Sequence, residues 1–327
     1  MDKRVIPMQG LSQAKEKILG SKTIVIAGHI NPDGDCIGSV LSLGLALKEI
    51  GKRIFMISRD GVPVNYRHLP GAGLILKTTA VKADLAIAVD CSAKEMLGET
   101  FKIFQNAKST LEIDHHEFKR PFGGAIMLDI HAAAVGELIY LLLQELRIAI
   151  TKEIAQNILT SLVVETNSFR LPVSRSFTFK VCADLIDKGA DFYSLAEMVY
   201  WTRTKESVLL SGLAMSRCRF IRGGKIAWSL LKESDFKKIK AEQESGNSVP
   251  DELRAIKEAR IAVLFKEKNK KFFRVSLRSK GAINVGRLAQ SYGGGGHYDN
   301  AGCCIPNSDN SRRKFLNAVE ALLQGKE

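Results

Sequence analysis

Thr23-Ile24-Val25-Ile26-Ala27-Gly28-His29-Ile30-Asn31-Pro32-Asp33-Gly34-Asp35 reads as a buried strand running straight into a polar turn. The first five residues are apolar and rich in β-branched side chains, the composition of a covered strand. Pro32 and Gly34 bend the turn. Residues 36–50 are apolar at helix-compatible spacing, and Gly51 is a suitable helix stop. The turn carries an imidazole, His29, and two carboxylates, Asp33 and Asp35.

The same alternation continues outward. Residues 53–57, 85–89 and 110–113 read as further strands, and residues 132–146 and 152–164 as helices. Strand–helix alternation of this kind predicts an α/β domain with a mostly parallel sheet and helices on both faces. Ligands of such sheets bind beyond the carboxyl ends of the strands. His29, Asp90 and Asp114-His115 each follow directly on an apolar strand run, so three strands deliver candidate ligands to one edge.

A helical zone at about 177–216 ends this domain and acts as a connector. From Phe220 the character changes, and residues 225–231, 259–266 and 272–278 read as strands of a smaller α/β domain. The boundaries drawn from this are a catalytic domain over 1–185, a helical linker over 186–218 and a second domain over 219–327. Residues 232–257 are charge-rich, with a mobile loop expected around Ser245-Gly246-Asn247-Ser248.

The chain has 327 residues, 45% of them hydrophobic, and a formal net charge of +13. A basic surface favours polyanions and speeds their encounter, although solubility alone is the other reading. The six cysteines show no CxxC spacing, which points to reduced thiols rather than a disulfide framework or structural zinc. No apolar run reaches the length of a membrane span, and residues 1–20 lack an apolar signal core. A cytoplasmic protein without membrane partners is the expectation.

Mixed carboxylate and imidazole ligation suits two divalent metals, manganese first, with magnesium, iron or cobalt as alternatives. Such a pair activates water and clamps a phosphate, which makes phosphoester hydrolysis the leading reaction class. His29, Asp33 and Asp35 also read as an Asx-rich turn capping the next helix. Asp90, ending a buried run, needs either a partner or a metal. In Asp114-His115-His116 the two imidazoles point in different directions, so one can ligate metal while the other faces substrate. His68 and His131 read as surface or packing residues. Tyr292-Gly293-Gly294-Gly295-Gly296-His297 permits close backbone approach to an anion, and Arg278, ending a strand, is a candidate phosphate clamp.

Together, His29-x-x-Pro32-Asp33-x-Asp35, Val89-Asp90, Asp114-His115-His116 and Gly293-Gly294-Gly295-Gly296-His297 resemble the signature of the DHH–DHHA1 phosphoesterases. Within them the chain is most similar to the bacterial branch acting on nanoRNA and on 3′-phosphoadenosine-5′-phosphate (pAp). The resemblance implies that His29 and Asp33 hold one metal, Asp35 and His115 the second, and that Asp90 bridges both. It implies that His116 acts catalytically beside Asp90 and that Asp114 orients the histidines from behind. Arg278, Gly294, Gly295, Gly296 and His297 would bind the nucleotide, with the second domain capping the site and limiting substrate length. Substrates would be short single-stranded RNA or DNA oligonucleotides, linear dinucleotides or pAp, and a homodimer is compatible with the branch. Two departures stand out: Glu165, a further metal ligand by its position, where the family usually has Asp, and Tyr298-Asp299-Asn300 where small residues are commoner. The first motivates a rival, a nucleotide-binding regulatory protein with impaired turnover. A longer single-strand exonuclease is the second rival.

Overall fold

The computed structural model describes residues 10–117, 119–268, 270–296 and 298–323. The chain divides into two compact units, Met1–Trp201 and Thr202–Glu327.

The first unit contains α1 (Leu11–Leu19), β1 (Thr23–Ala27), α2 (Gly34–Glu49), β2 (Arg53–Ile57), β3 (Ile75–Leu76), β4 (Leu85–Val89) and α3 (Phe101–Gln105). It continues with β5 (Ser109–Asp114), β6 (Ile126–Leu128), α4 (Val135–Glu145), α5 (Lys152–Glu165), α6 (Ser176–Asp187) and α7 (Phe192–Tyr200). The six strands form one parallel sheet in the order β3-β2-β1-β4-β5-β6. Parallel strands need crossovers; α2 supplies the one from β1 to β2 and α3 the one from β4 to β5, while 3₁₀ turns and irregular chain join β2 to β3 and β5 to β6. Ile24, Ile26, Ile87, Val89, Leu111 and Ile113 point to the face packed by α2, α4 and α5. Val25, Ala27, Ala86 and Ala88 point to the other, thinner layer around Leu97 and Phe104. The order reverses between β1 and β4, which creates the crevice where ligands of open α/β sheets bind.

The second unit contains α8 (Lys205–Ser216), β7 (Arg219–Ile221), β8 (Ile226–Leu231), α9 (Glu233–Ile239), α10 (Val249–Arg254), β9 (Ile261–Lys268) and β10 (Phe272–Ser279). After these come α11 (Val285–Ser291), β11 (Gly295–Gly296), β12 (Asn300–Pro306) and α12 (Asp309–Leu322). Its sheet runs β11-β12-β10-β9-β8-β7, antiparallel except for the β8–β9 pair. Alternation along β9 and β10 sends Val263, Phe265, Phe273, Val275 and Leu277 into one core with Phe315 and Val319 of α12. Ala262 and Leu264 face a second core with Leu210 of α8 and Leu253 of α10. Of the stretch 245–248, Ser245 and Gly246 belong to a 3₁₀ turn, Gln243–Gly246, with Gly246 buried, and Ser248 precedes α10. Among the described residues no helix is long and apolar enough to cross a membrane.

Candidate metal centre

Three neighbouring strand ends build the site. One residue, Gly28, separates His29 from β1, and its N–H donates to the Ile57 carbonyl across the β1–β2 edge at 3.0 Å. Asp90 follows β4 with its N–H on the Ile113 carbonyl at 3.0 Å. Its φ of +60° is left-handed, a conformation Asp tolerates better than most residues, and it turns the side chain out of the strand path. Asp114 is the last residue of β5.

Each imidazole is oriented by one of its nitrogens. A carbonyl can only accept, so His29 Nδ1 donates to Ile30 O at 2.8 Å and His115 Nδ1 donates to Ala132 O at 3.1 Å. The Nε2 atoms therefore face the carboxylates. That of His29 lies 3.5 Å from Asp90 Oδ2 and 3.8 Å from Asp33 Oδ1, and that of His115 3.6 Å from Asp35 Oδ2 and 3.8 Å from Asp90 Oδ1. His116 Nδ1 is 2.7 Å from Asp114 Oδ1 and 3.6 Å from Asp90 Oδ1. Asp90 is thus common to two compact sets, His29–Asp33–Asp90 and Asp90–His115–His116, each with ligand atoms within 4.8 Å of one another. Asp33 is also the cap of α2, accepting the Cys36 N–H at 3.0 Å, so its capping and ligand readings are compatible.

Asp35 is fully buried. Its Oδ1 accepts from Ser39 Oγ at 3.0 Å and Ser161 Oγ at 2.6 Å, and its Oδ2 accepts the Val135 N–H at 3.0 Å. This requires α5 to lie close to α2. A Cβ on Gly38 would come within 2.4 Å of the Asn157 carbonyl, so glycine is what allows that approach. Glu165 ends α5 with its charge acting on His115, Asp35, Asp33 and Asp90.

The electrostatics show what the site lacks in its own side chains. Burial, then the charge of Asp90, pushes the Asp35 carboxyl up to about 7. Burial also drives Glu165 up to about 8, with Asp35, Asp33 and Asp90 adding to the shift and His115 opposing it. For His115 burial disfavours the charge, but Asp35, Glu165 and Asp90 outweigh it and raise the imidazole to about 9. His29 is likewise raised well above the usual range, against its own burial, by Cys36, Asp33 and Asp90. Protons thus occupy positions where positive charge is needed. Asp90 Oδ1 is buried without a hydrogen-bond partner among the described residues, a costly state for a carboxylate oxygen. A carboxylate–imidazole donor set with an orphaned central oxygen fits divalent cations.

Spacing along the chain does not announce the supporting residues. Lys119 has a side chain only 2% exposed, pairs with Glu112 and with Asp114 Oδ2 at 3.1 Å, and lies 4.5 Å from the centre of the Phe122 ring. Burial opposes ionisation of Asp114, but His116 and Lys119 outweigh it and hold the carboxyl well below the usual range. Its Oδ1 also accepts the N–H groups of His115 and His116 at 2.7 and 3.2 Å. Ser39, Ser161 and Lys119 were not read from the sequence. The one signal for Lys119 is the rule that buried carboxylates require a counter-charge.

His68 and His131 are exposed. In the second unit, Arg278, Gly294 and Gly295 line a cavity of about 590 Å³ with Asn247, Arg274, Ser276, Asn300, Gly302 and Cys304 among its other walls. A Cβ on Gly294 would meet the Gly302 carbonyl at 2.1 Å, so the backbone there is closely packed. Gly296 pairs with Ala301 in the β11–β12 ladder, and His297 lies outside the described residues. Arg278 is anchored rather than a loose strand-end charge: its Nε donates to Asp251 Oδ1 at 3.1 Å. Asp299, one of the unusual residues after the glycines, pairs with Arg254 at 3.2 Å.

Comparison with known proteins agrees with this architecture. The model of the DHH family N-terminal domain matches residues 23–164, and that of the DHHA1 domain matches residues 223–325. The bifunctional oligoribonuclease and PAP phosphatase NrnA of Thermus thermophilus is 28% identical over 305 residues, 92% of this chain and 90% of that protein. NrnA of Bacillus subtilis is 26% identical over 310 residues, 93% of this chain and 96% of that protein. In fold, an exopolyphosphatase-related protein from Bacteroides fragilis superposes with a TM-score of 0.87 at 23% identity, covering 96% of this chain and 95% of its own. Exonuclease RecJ bound to manganese superposes at 0.52 with 16% identity, covering 100% and 97%. With both domain models matched in order along its length, the chain belongs to the DHH–DHHA1 family.

Proposed function

We propose that this protein is a divalent-metal-dependent phosphoesterase that hydrolyses short single-stranded oligonucleotides to nucleoside 5′-monophosphates and pAp to AMP. The observation that carries the reading is Asp90, whose two carboxylate oxygens lie between the imidazoles of His29 and His115 at the ends of adjacent parallel strands. The oligoribonuclease and PAP phosphatase names of relatives matched along nine-tenths of the chain support the substrate class.

His29 and Asp33 would hold one cation and Asp35 and His115 the other, with Asp90 between them and Glu165 beside the second. Manganese is the ion we favour, because the donors mix carboxylate oxygen with imidazole nitrogen. Bound there, such ions supply positive charge to the phosphoryl oxygens and acidify water. His116 Nδ1–H donates to Asp114 Oδ1 at 2.7 Å, so Nε2 is the atom that would exchange a proton with the leaving oxygen. Burial works against its positive charge, yet Asp114 and Asp90 raise it above the ordinary imidazole value, which suits an acid. Asp114, fixed by Lys119, holds the ring in place. In the second unit, Arg278 and the glycine backbone would receive a phosphate of the nucleotide. Free thiols at all six cysteines suit a cytoplasmic setting.

The test is manganese-dependent release of 5′-mononucleotide from an RNA dinucleotide, beside pAp, with Asp90→Ala as control. Cleavage lost in the control is expected. Turnover of both substrates at the control's level, in folded and metal-loaded protein, overturns the reading.

A further inference from the structure

The outer edge of the second sheet carries a groove with no part in the proposed hydrolysis. Arg274, Ser276 and Arg278 lie on one side of β10, whereas Phe273, Val275 and Leu277 lie on the other, in the core with α12. That other side continues to Leu230 and Trp228 of β8 and to Arg219 of the edge strand β7, which pairs directly with Trp228. Two cavities meet there, of about 860 and 520 Å³, and both are lined by Arg219, Trp228, Asp309 and Arg312. The second follows α12 from Asp309 through Arg313 and Leu316 to Glu320. That spacing is one helical face, about 16 Å long at about 1.5 Å per residue.

Charge along the groove is unevenly committed. Arg217 donates to both oxygens of Asp235, at 2.5 and 3.0 Å, and Arg312 donates to Asp309 Oδ1 at 2.7 Å. Glu320 is taken by Arg222 at 2.6 Å. Both oxygens of Glu267 accept, from the Asn307 amide and the Glu233 N–H, each at 2.9 Å. Every carboxylate on the walls thus has its own donor. Arg219 has no carboxylate partner among the described residues. Its guanidinium lies over the Trp228 ring, 5.7 Å from the centre, and that of Arg312 lies 5.6 Å from the same centre. An indole holds a guanidinium through its face, while the N–H fork in the guanidinium plane stays open to a phosphate. Arg219, Lys232 and Arg313 are exposed on the walls, so the charge offered to a ligand is positive.

We propose that this groove is an accessory site for single-stranded nucleic acid, with Arg219 on a phosphate and the Trp228 stack against a base. A strand carries one phosphate per about 3.4 Å of helix axis, so the groove is long enough for more than one nucleotide. Unstacked bases pack on aromatic rings and guanidinium planes, which a duplex, with its bases inside, cannot reach. Acidic side chains alone would meet the cations and leave the aromatic stack unused. The chain then retains single strands longer than those it cleaves, on the opposite side of β10 from Arg278. The assignment is independent of the metal centre.

Trp201 and Trp228 are the two tryptophans of the chain, so Trp201→Phe leaves Trp228 as a single fluorescent reporter. The probe is a single-stranded oligouridylate about ten nucleotides long, within the range of one strand-binding groove. It is added to full-length protein in chelator, so that it is not cut. Saturable quenching of Trp228 is expected, weakening with salt. Arg219→Gln should weaken binding by about tenfold and lower its salt dependence by roughly one phosphate's worth. Trp228→Leu, read by anisotropy of a labelled strand, should weaken binding by about tenfold as well, and Trp228→Phe should recover part of the loss. Arg278→Gln, and Lys314→Gln on the exposed surface of α12, should leave binding unchanged. Arg219→Gln should leave manganese-dependent hydrolysis of a dinucleotide unchanged, and hydrolysis that falls with it overturns the accessory character of the groove. No quenching, quenching that Arg219→Gln does not weaken, or an equal response to polyglutamate or to a duplex of the same length overturns the site. Arg219-dependent binding in a protein that hydrolyses neither dinucleotide nor pAp keeps the site and overturns the phosphoesterase reading instead.

Discussion

Ser161 Oγ donates a 2.6 Å hydrogen bond to Asp35 Oδ1 across 126 residues of chain. The same oxygen accepts the Gly136 N–H at 2.9 Å, so one hydroxyl ties α2, α4 and α5 together beneath the site. Ser161→Ala leaves a buried N–H unsatisfied and removes one of the donors that steady Asp35. We expect a stability loss of about 1–3 kcal/mol and a manganese affinity lower by about tenfold or more. Thermal unfolding and calorimetric metal titration read the two effects separately.

Lys119 is the counter-charge for two buried carboxylates. Lys119→Met should destabilise the fold by about 3–5 kcal/mol, because Glu112 and Asp114 stay buried without it. With Asp114 no longer anchored, His116 loses its orientation. The pH–rate profile should therefore lose its His116-dependent limb, a change a merely weakened fold would not produce. Lys119→Met combined with Glu112→Gln should recover part of the stability while activity remains low.

The titrating groups of the site predict an unusual pH response. Asp35 at about 7 and Glu165 at about 8 both lie above their unfolded values, and His115 at about 9 does too. Each binds protons more tightly in the folded chain, so metal-free stability from these groups is full below the unfolded values and falls as pH rises through the folded ones. Unfolding in chelator at pH 5.5 and pH 9 should show the loss toward alkaline pH. Metal displaces the same protons, so manganese affinity should rise across the same interval. Titration in buffers of different ionisation enthalpy should detect proton release, and its absence at pH 7 would contradict the shifts.

Just beyond Glu165, three consecutive residues adopt left-handed backbone: Asn167 at φ 49°, Ser168 at 55° and Phe169 at 62°. Asn tolerates this well, whereas each ordinary residue there costs about 1–2 kcal/mol. Ser168→Gly should therefore raise stability by up to about 1 kcal/mol, after the entropy that glycine adds to the unfolded chain. Phe169→Gly should do the opposite, since its ring packs against Phe179 and Phe192 with centroids at 5.1 and 6.1 Å. Melting temperatures of the two variants, moving in opposite directions, check the account.

The residues that touch the proposed ions were legible because strand ends mark themselves: an apolar run stops, and a carboxylate or imidazole follows. β1, β2 and β4 have the expected bounds, since periodicity and burial agree along them. The two-residue strands β3 and β11 carry too little pattern to see. Lys119 and Ser161 escaped for a different reason. Their partners are set by the return of a loop and by a helix crossing, neither of which leaves a local trace. The 3₁₀ turn at 243–246 leaves no trace in its polar composition, and Lys266, which bonds to it, opens the charged Lys266-Glu267-Lys268 end of an otherwise apolar strand.

Because β1, β4 and β5 are held to one another by backbone hydrogen bonds, the distances among His29, Asp90 and His115 are inherited from the ladder rather than from side-chain packing. A one-residue slip of β4 would send Asp90 to the opposite face and abolish both ligand sets at once. The centre therefore assembles in a single cooperative event with the sheet, and a half-folded chain offers an ion no partial foothold. Manganese added during refolding should accordingly slow unfolding of the finished protein while leaving the rate at which it forms largely unchanged.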